Sequence, residues 1–174
     1  MHDRAHTDRA CVADLYARWS GDIHSYASRL LGNSAAADDV TQEVFLAAWR
    51  KGAGRDPNVP IRAWLYRIAS NRCIDQLRRR RLIAWLPLSA WREPAGEADP
   101  VGGAAATSDA IRRTLAALPP RDAAVLVLHG AQGLDYREIA AVLQISPAAA
   151  ASALSRARDR FARHYAPIAE EVCP

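Results

Sequence analysis

The sequence predicts an all-α protein with two small helical domains joined by a flexible acidic linker. Ala, Leu and Arg dominate the periodic stretches, and the alternating β-branched pattern of strands is almost absent. A stretch rich in proline and glycine, with one basic and four acidic side chains, separates two periodic regions. We therefore expect a first domain at residues 1–81, a linker at 82–110 and a second domain at 111–174.

The charge of the chain favours a nucleic-acid partner. The net charge is +4 and the isoelectric point is near 9.3. Lys51 is the only lysine, so the basic character comes from arginine, which suits planar contacts to phosphates and base edges. A GC-rich genome would also enrich Ala and Arg, so composition alone does not decide.

The sequence contains no pattern typical of catalysis or of membrane insertion. We find no signal peptide, no apolar run long enough to span a bilayer, and no HExxH, phosphate loop or nucleophile elbow. Cys11, Cys73 and Cys173 are scattered and fit free thiols in a reducing cytoplasm, with Cys73 in a core. We therefore expect a cytoplasmic protein that is not an enzyme and has no cofactor, metal or small-molecule substrate.

Two helices should open the first domain. The first covers residues 12–31 and stops at Gly32, and a new cap at Ser34 starts the second, which runs to about Lys51. Helical spacing leaves an acidic, polar side on the second helix. That side carries Asp39, Gln42 and Glu43.

A third helix is predicted after Pro60, a residue suited to the first helical turn. Its apolar residues share one side, and the opposite, basic side carries Arg67, Asn71 and Arg78. The neighbouring aromatic residues Trp64 and Tyr66 could stack on unpaired bases. Four arginines at 78–81 end the helix with enough charge to hold several phosphates, although a solvated helix end is the simplest interpretation of that run alone.

The second domain shows a helix-turn-helix pattern. A helix is predicted at residues 121–130, and a second opens at Asp135, with Glu138 in the capping-box position. A short turn leads to a third helix with Pro147 as its first residue. Its predicted buried stripe is Ala150, Leu154, Ala157 and Phe161, and its predicted outer face is Ala149, Ser152, Ala153, Arg156, Arg160 and Arg163.

Three segments in order resemble the extracytoplasmic-function sigma factors of the sigma-70 family. Residues 38–50 read DDVTQEVFLAAWR and are similar to its polymerase-binding helix, and residues 62–72 read RAWLYRIASNR and are similar to its promoter-melting helix. Residues 134–158 begin LDYREIA and are similar to its −35-reading module. The resemblance implies an alternative sigma factor that docks on RNA polymerase core, melts specific promoters and directs initiation.

The resemblance also implies partners and contact residues. The expected partners are RNA polymerase core, through the clamp helices of its largest subunit and its flap, promoter DNA, and an anti-sigma factor. The positions matching polymerase contacts are Asp39, Gln42, Glu43, Phe45 and Trp49. Those assigned to the −10 element are Arg55, Arg62, Trp64, Arg67, Asn71, Arg72, Arg78, Arg79 and Arg80. Those assigned to the −35 element are Ala149, Ser152, Ser155, Arg156, Arg158 and Arg160.

Two departures from the family pattern are visible. Family members usually carry longer polar side chains at positions 149–153, where this chain has mainly alanine, so we expect relaxed −35 specificity. The linker carries Trp85, Leu86, Leu88 and Trp91, which suggest either a short packed helix or an interface for an anti-sigma factor.

Three other functions compete with this interpretation. A helix-turn-helix regulator that is not a sigma subunit would explain residues 111–165 but not residues 38–50 or the group around Trp64 and Asn71. An enzyme would need a convergent polar cluster that the sequence lacks. A protein-interaction bundle would show no salt-dependent DNA binding.

Overall fold

The structure, a computed structural model, describes residues 3–51, 56, 58–85 and 102–172. These residues form helices without strands, which confirms the all-α class. The helices are α1 (Asp3–Leu31), α2 (Ser34–Lys51), α3 (Ile61–Trp85), α4 (Gly102–Ala117), α5 (Pro120–Gly130), α6 (Tyr136–Leu143) and α7 (Pro147–Val172).

Helices α1, α2 and α3 form the first bundle. Its core includes Tyr26, Val44 and Leu65, all with no exposed surface. The chain turns between α1 and α2 at Gly32, whose φ of +63° favours glycine. The cap of α2 is Asn33 rather than the predicted Ser34, because the Asn33 Oδ1 accepts a hydrogen bond from the Ala36 amide at 2.9 Å.

Helices α4 to α7 form the second bundle. The predicted capping box of α6 is present: Asp135 Oδ1 accepts from the Glu138 amide at 2.8 Å, and Glu138 Oε2 accepts from the Asp135 amide at 2.9 Å. Gln144 makes the turn before α7 in the left-handed conformation, with a φ of 56°. The sequence did not predict α4, because its first residues read as linker.

The two bundles lie against each other and share one hydrophobic core cluster. Helix α3 packs on α5 and α6, and α1 packs on α4 and α5. Both ends of the segment predicted as linker are helical, since α3 continues to Trp85 and α4 begins at Gly102. The rest of that segment, with Leu86, Leu88 and Trp91, lies outside the described residues, as does the side chain of Trp85.

Within the part of the chain that the structure describes, no single helix is long and apolar enough to cross a membrane. One bent pair, α6 with residues Pro147–Ile168 of α7, meets that test by length and composition only, across a bend of 97°.

Candidate nucleic-acid interface

The acidic side of α2 is exposed. Asp39 and Gln42 point to solvent, and their side chains have no polar partner among the described residues. Glu43 is also exposed, but its Oε2 lies 2.9 Å from Nε of Arg72 on α3. The acidic side predicted from the sequence is therefore present, and the Glu43 carboxylate on it forms an ion pair with α3.

The aromatic residues of α2 divide between core and surface. Trp49 is 50% exposed and Leu46 is 41% exposed, so α2 presents an apolar patch beside its acidic side chains. Phe45 is only 6% exposed and packs edge-to-face on Tyr16 of α1, with ring centroids 4.9 Å apart. The prediction that Phe45 contacts the polymerase is therefore wrong, because Phe45 is a core residue that helps to position the exposed Tyr16 ring. Tyr16 was not predicted as a surface residue of this site.

One side of α3 lines an open groove. The groove has a volume of about 280 Å³. Its lining residues are Ala47, Trp64, Ile68, Asn71, Arg72 and Asp75. Three residues predicted to meet DNA, Trp64, Asn71 and Arg72, therefore lie together in one groove. A second shallow groove beside it has a volume of about 290 Å³ and shares Arg72 and Ala47 with the first.

The adjacent side of α3 is covered by the second bundle. Arg62 Nη1 lies 3.1 Å from Glu138 Oε1, and its Nη2 donates to the Gln132 carbonyl at 2.5 Å. Arg67 donates to the Ala141 carbonyl through Nε at 3.1 Å and Nη2 at 2.7 Å. The single basic face predicted from Arg67, Asn71 and Arg78 is therefore wrong in one respect, since Arg67 turns towards α6.

Tyr66 completes this covered side. Its hydroxyl donates to Gln132 Oε1 at 2.7 Å, and its ring packs edge-to-face on Tyr26 with centroids 5.4 Å apart. Burial, followed by the charge of Asp22, raises the pKa of Tyr66 to about 12, so the hydroxyl keeps its proton at neutral pH. Tyr66, predicted with Trp64 to stack on unpaired bases, is instead buried and bonded to the second bundle. Gln132 was not predicted, because no sequence pattern indicates its contact with the first bundle.

The arginine run at the end of α3 is only partly available. Arg78 and Arg79 are exposed and have no hydrogen bond or ion pair to any described residue. Arg80 donates to the Leu31 carbonyl at 2.9 Å, and Arg81 donates to carbonyls at the end of α4 and beyond it. Arg55, also assigned to the −10 element, lies outside the described residues.

The outer face of α7 is small and basic. The exposed members of the predicted face are Ala149, Ser152, Arg156 and Arg163, and Ser155 and Arg158 are exposed as well. Arg160 and Ala153 depart from the prediction because both are half-buried. Arg160 Nη1 lies 2.5 Å from Asp122 Oδ2 on α5, and Ala153 packs against the core. In the predicted buried stripe, Phe161 is half-buried and its three companions are buried.

Cys73 is a free cysteine in the core of the first bundle, as predicted. Burial raises the pKa of its thiol to about 12, which keeps the sulfur protonated and weakly nucleophilic. Among the residues that the structure describes, no group of three or more His, Cys, Asp or Glu is arranged to hold a metal ion.

Comparison with known proteins places these helices in a family. The family model for sigma-70 region 2 matches residues 15–83, and the model for sigma-70 region 4 matches residues 108–161. SigE of Mycolicibacterium smegmatis is 31% identical to this chain, and the match covers 91% of this chain. The same match covers 65% of SigE, just under two thirds of its length. SigM of Mycobacterium tuberculosis is 30% identical over 90% of this chain and 78% of its own length.

Solved structures of similar proteins have the same arrangement of helices. CnrH in complex with the cytosolic domain of CnrY is 29% identical, with a TM-score of 0.66 over 91% of this chain and 90% of that one. The sigma factor RpoE of Bartonella quintana, solved with the anti-sigma factor NepR, has the same fold, with a TM-score of 0.64 at 23% identity over 87% of this chain and 94% of that one. This chain therefore belongs to the extracytoplasmic-function sigma factors of the sigma-70 family, whose members are transcription initiation factors.

Proposed function

We propose that this chain is an alternative sigma factor that directs RNA polymerase core to a small promoter set in the cytoplasm. It has no catalytic role of its own. The observation that carries the proposal is the adjacency of two exposed surfaces on α2 and α3. The acidic and aromatic side of α2 lies next to the groove of Trp64 and Asn71, and Arg72 contributes to both.

The side of α2 is suited to a protein partner. Exposed Trp49 and Leu46 supply an apolar anchor, and Asp39 and Gln42 supply a polar rim, an arrangement typical of interfaces. We assign this surface to the clamp helices of the largest polymerase subunit. The flap of the polymerase is assigned to the second bundle, residues 111–174.

The groove on α3 is suited to an unpaired nucleotide strand. Trp64 can stack on a base and Asn71 can read a base edge, while exposed Arg78 and Arg79 meet phosphates. Stacking and phosphate contact together favour an open strand without nucleotide hydrolysis. The outer face of α7 is assigned to the −35 duplex, where the first turns of a recognition helix enter the major groove.

We also propose control by an anti-sigma factor. CnrH was solved with the cytosolic domain of CnrY, and RpoE with an anti-sigma factor, so a protein partner is a property of those relatives. A pull-down from the native host should recover polymerase subunits and, separately, one small stoichiometric partner. Recovery of polymerase alone would remove this part of the proposal.

Run-off transcription with purified core tests the central proposal. The chain should program initiation from a cognate promoter found by mapping start sites after overexpression. A helix-turn-helix regulator, the competing function, would bind the promoter but would not support initiation by core.

Variants of α2 sharpen this test. Trp49→Ala should weaken binding to core by on the order of 2 kcal/mol, about 30-fold. Asp39→Arg, tested separately, should also weaken binding to core, and its effect should be larger at low salt. Asp39 is a cleaner choice than Glu43, whose reversal would also break the ion pair with Arg72. Asp14→Arg, the same reversal at an exposed site on α1, is the matched control. Equal affinity of all variants for core in a fluorescence anisotropy titration would refute the assignment of α2.

A further inference from the structure

The arginines that the sequence assigns to DNA are already occupied on one side of α3. Arg62 and Arg67 together donate four hydrogen bonds to Gln132, Glu138 and Ala141 of the second bundle. The Tyr66 hydroxyl adds a fifth, to Gln132. A guanidinium that donates to protein acceptors has fewer donors for a phosphate, so DNA and the second bundle compete for the same groups.

From this competition we propose that the chain inhibits itself through an interdomain latch, formed by Arg62, Tyr66 and Arg67 against Gln132, Glu138 and the Ala141 carbonyl. In the closed state Arg62 and Arg67 are withheld from DNA phosphates. Opening separates the second bundle from α3 and releases both side chains. The inference rests on the proposed function for the identity of the DNA, but the latch itself is a property of the free chain.

The contacts of the latch suit a reversible device. The bonds of the latch itself are polar, while the two bundles also share apolar contacts. Within the latch, Nε of Arg62 is buried without a hydrogen-bond partner among the described residues. A buried donor without an acceptor disfavours the closed state. The closed state is therefore held by several directional bonds but is not fully satisfied, and a competing partner can displace it.

The latch leaves other surfaces open. In the closed chain the acidic and aromatic side of α2 is exposed, and so is the outer face of α7. Core can therefore engage α2 before the latch opens, and duplex DNA can meet α7 in the same state. What the closed chain lacks is the pair of phosphate contacts from Arg62 and Arg67.

The test uses the full chain with Gln132→Ala and Glu138→Gln together. These changes remove the acceptor of Tyr66 and the charge that faces Arg62, while glutamine at the third helical position still completes the capping box. Asp159→Asn, which removes one negative charge from the exposed surface of α7, is the matched control. Circular dichroism establishes that each variant retains its helices.

Two measurements report on the latch. Small-angle scattering of the wild type should give a radius of gyration of about 16 Å, as expected for a compact chain of this length, and the double variant should be larger by several ångströms. Binding to a short mixed-sequence single-stranded DNA should become tighter in the variant. Two released arginines should steepen its salt dependence by about 1.4 in log–log slope. The control should match the wild type in size and in slope.

A second variant protects the test against misfolding. Tyr66→Phe removes the hydroxyl bond to Gln132 while the ring can keep its place in the core, and it should loosen the closed state in the same direction, with Tyr16→Phe at an exposed site on α1 as its control. An extended wild type, or an opened variant with an unchanged salt slope, would overturn the latch. Run-off transcription then separates the two proposals, because a chain that opens as described but never supports initiation would refute the sigma function and leave the latch standing.

Discussion

Helices α3 and α7 are similar in length, with 25 and 26 residues, but they use their arginines differently. Five of the seven arginines of α3 bond to other described residues: Arg62, Arg67, Arg72, Arg80 and Arg81. Of the four on α7, only Arg160 has such a partner within the described chain. A ligand of α3 must therefore displace internal contacts or use what they leave open. A ligand of α7 meets exposed arginines that need no displacement, on a face whose first turns carry mainly alanine and serine.

The largest effects should come from truncating the core beneath each helix. Leu65→Ala in α3 and Leu154→Ala in α7 should each destabilise the chain by about 2–5 kcal/mol, because both leucines are buried. Since α3 packs against helices of both bundles, Leu65→Ala should also speed hydrogen exchange in α6, whereas Leu154→Ala should act mainly within α4 to α7. Unchanged exchange in α6 after Leu65→Ala would mean that α3 carries little coupling between the bundles.

Base identity should depend more on α3 than on α7. Asn71→Ala should cost about 1–3 kcal/mol of −10 discrimination, roughly 5- to 150-fold, because an exposed amide in the groove is lost. Ser152→Ala removes only a hydroxyl from α7 and should change −35 preference by a smaller factor. A library of promoter variants scored with both proteins measures the two effects. A sharp guanine preference at −35 in the wild type would show that α7 reads sequence without long side chains.

Adding a long polar side chain to α7 should make this helix discriminate between bases, as is proposed for α3. Ala151 is exposed in the second turn of α7, and Ala151→Arg should create discrimination of about 1 kcal/mol, roughly fivefold, at one −35 position. Ala153 is less suitable because it packs against the core. Ala162→Arg adds the same charge farther along the helix and should raise affinity for all sequences alike. The same promoter library decides between selective and uniform gain.

The smallest effect should separate two arginines of α3. Arg79→Ala should reduce the salt dependence of single-strand binding by about 0.7 in slope, because Arg79 is exposed and lacks a partner among the described residues. Arg67→Ala should not lower the slope, since its guanidinium is bound to the Ala141 carbonyl in the closed chain. Because the change also removes two bonds of the latch, release of Arg62 should raise the slope by about 0.7. Equal losses for both variants would show that Arg67 reaches DNA without opening the chain.

Local patterns predicted much of this molecule. The capping box of Asp135 and Glu138 connects residues three apart, and the start of α7 at Pro147 follows from an equally local signal. Helix α4 was missed because Gly102 and Gly103 read as linker, and packing against α7 outweighs their low helix propensity.

The fate of individual arginines was the hardest part to predict. Helical spacing places Arg67 with Asn71 and Arg78, but its partner lies 74 residues away on another helix. Likewise, Arg160 was predicted on the outer face, and its partner Asp122 is 38 residues earlier. Periodicity predicts which residues share a face of one helix. It does not predict which neighbouring helix covers the edge of that face.

The carboxylate of Glu138 both caps its own helix and pairs with an arginine of the first bundle. One oxygen caps α6 through the Asp135 amide, and the other faces Arg62 in the first bundle. Glutamine satisfies the first task but gives up the charge used in the second. Among descendants of this chain, a lineage that loses the arginine at position 62 should therefore tolerate glutamine at position 138. The two positions should covary, although 76 residues separate them.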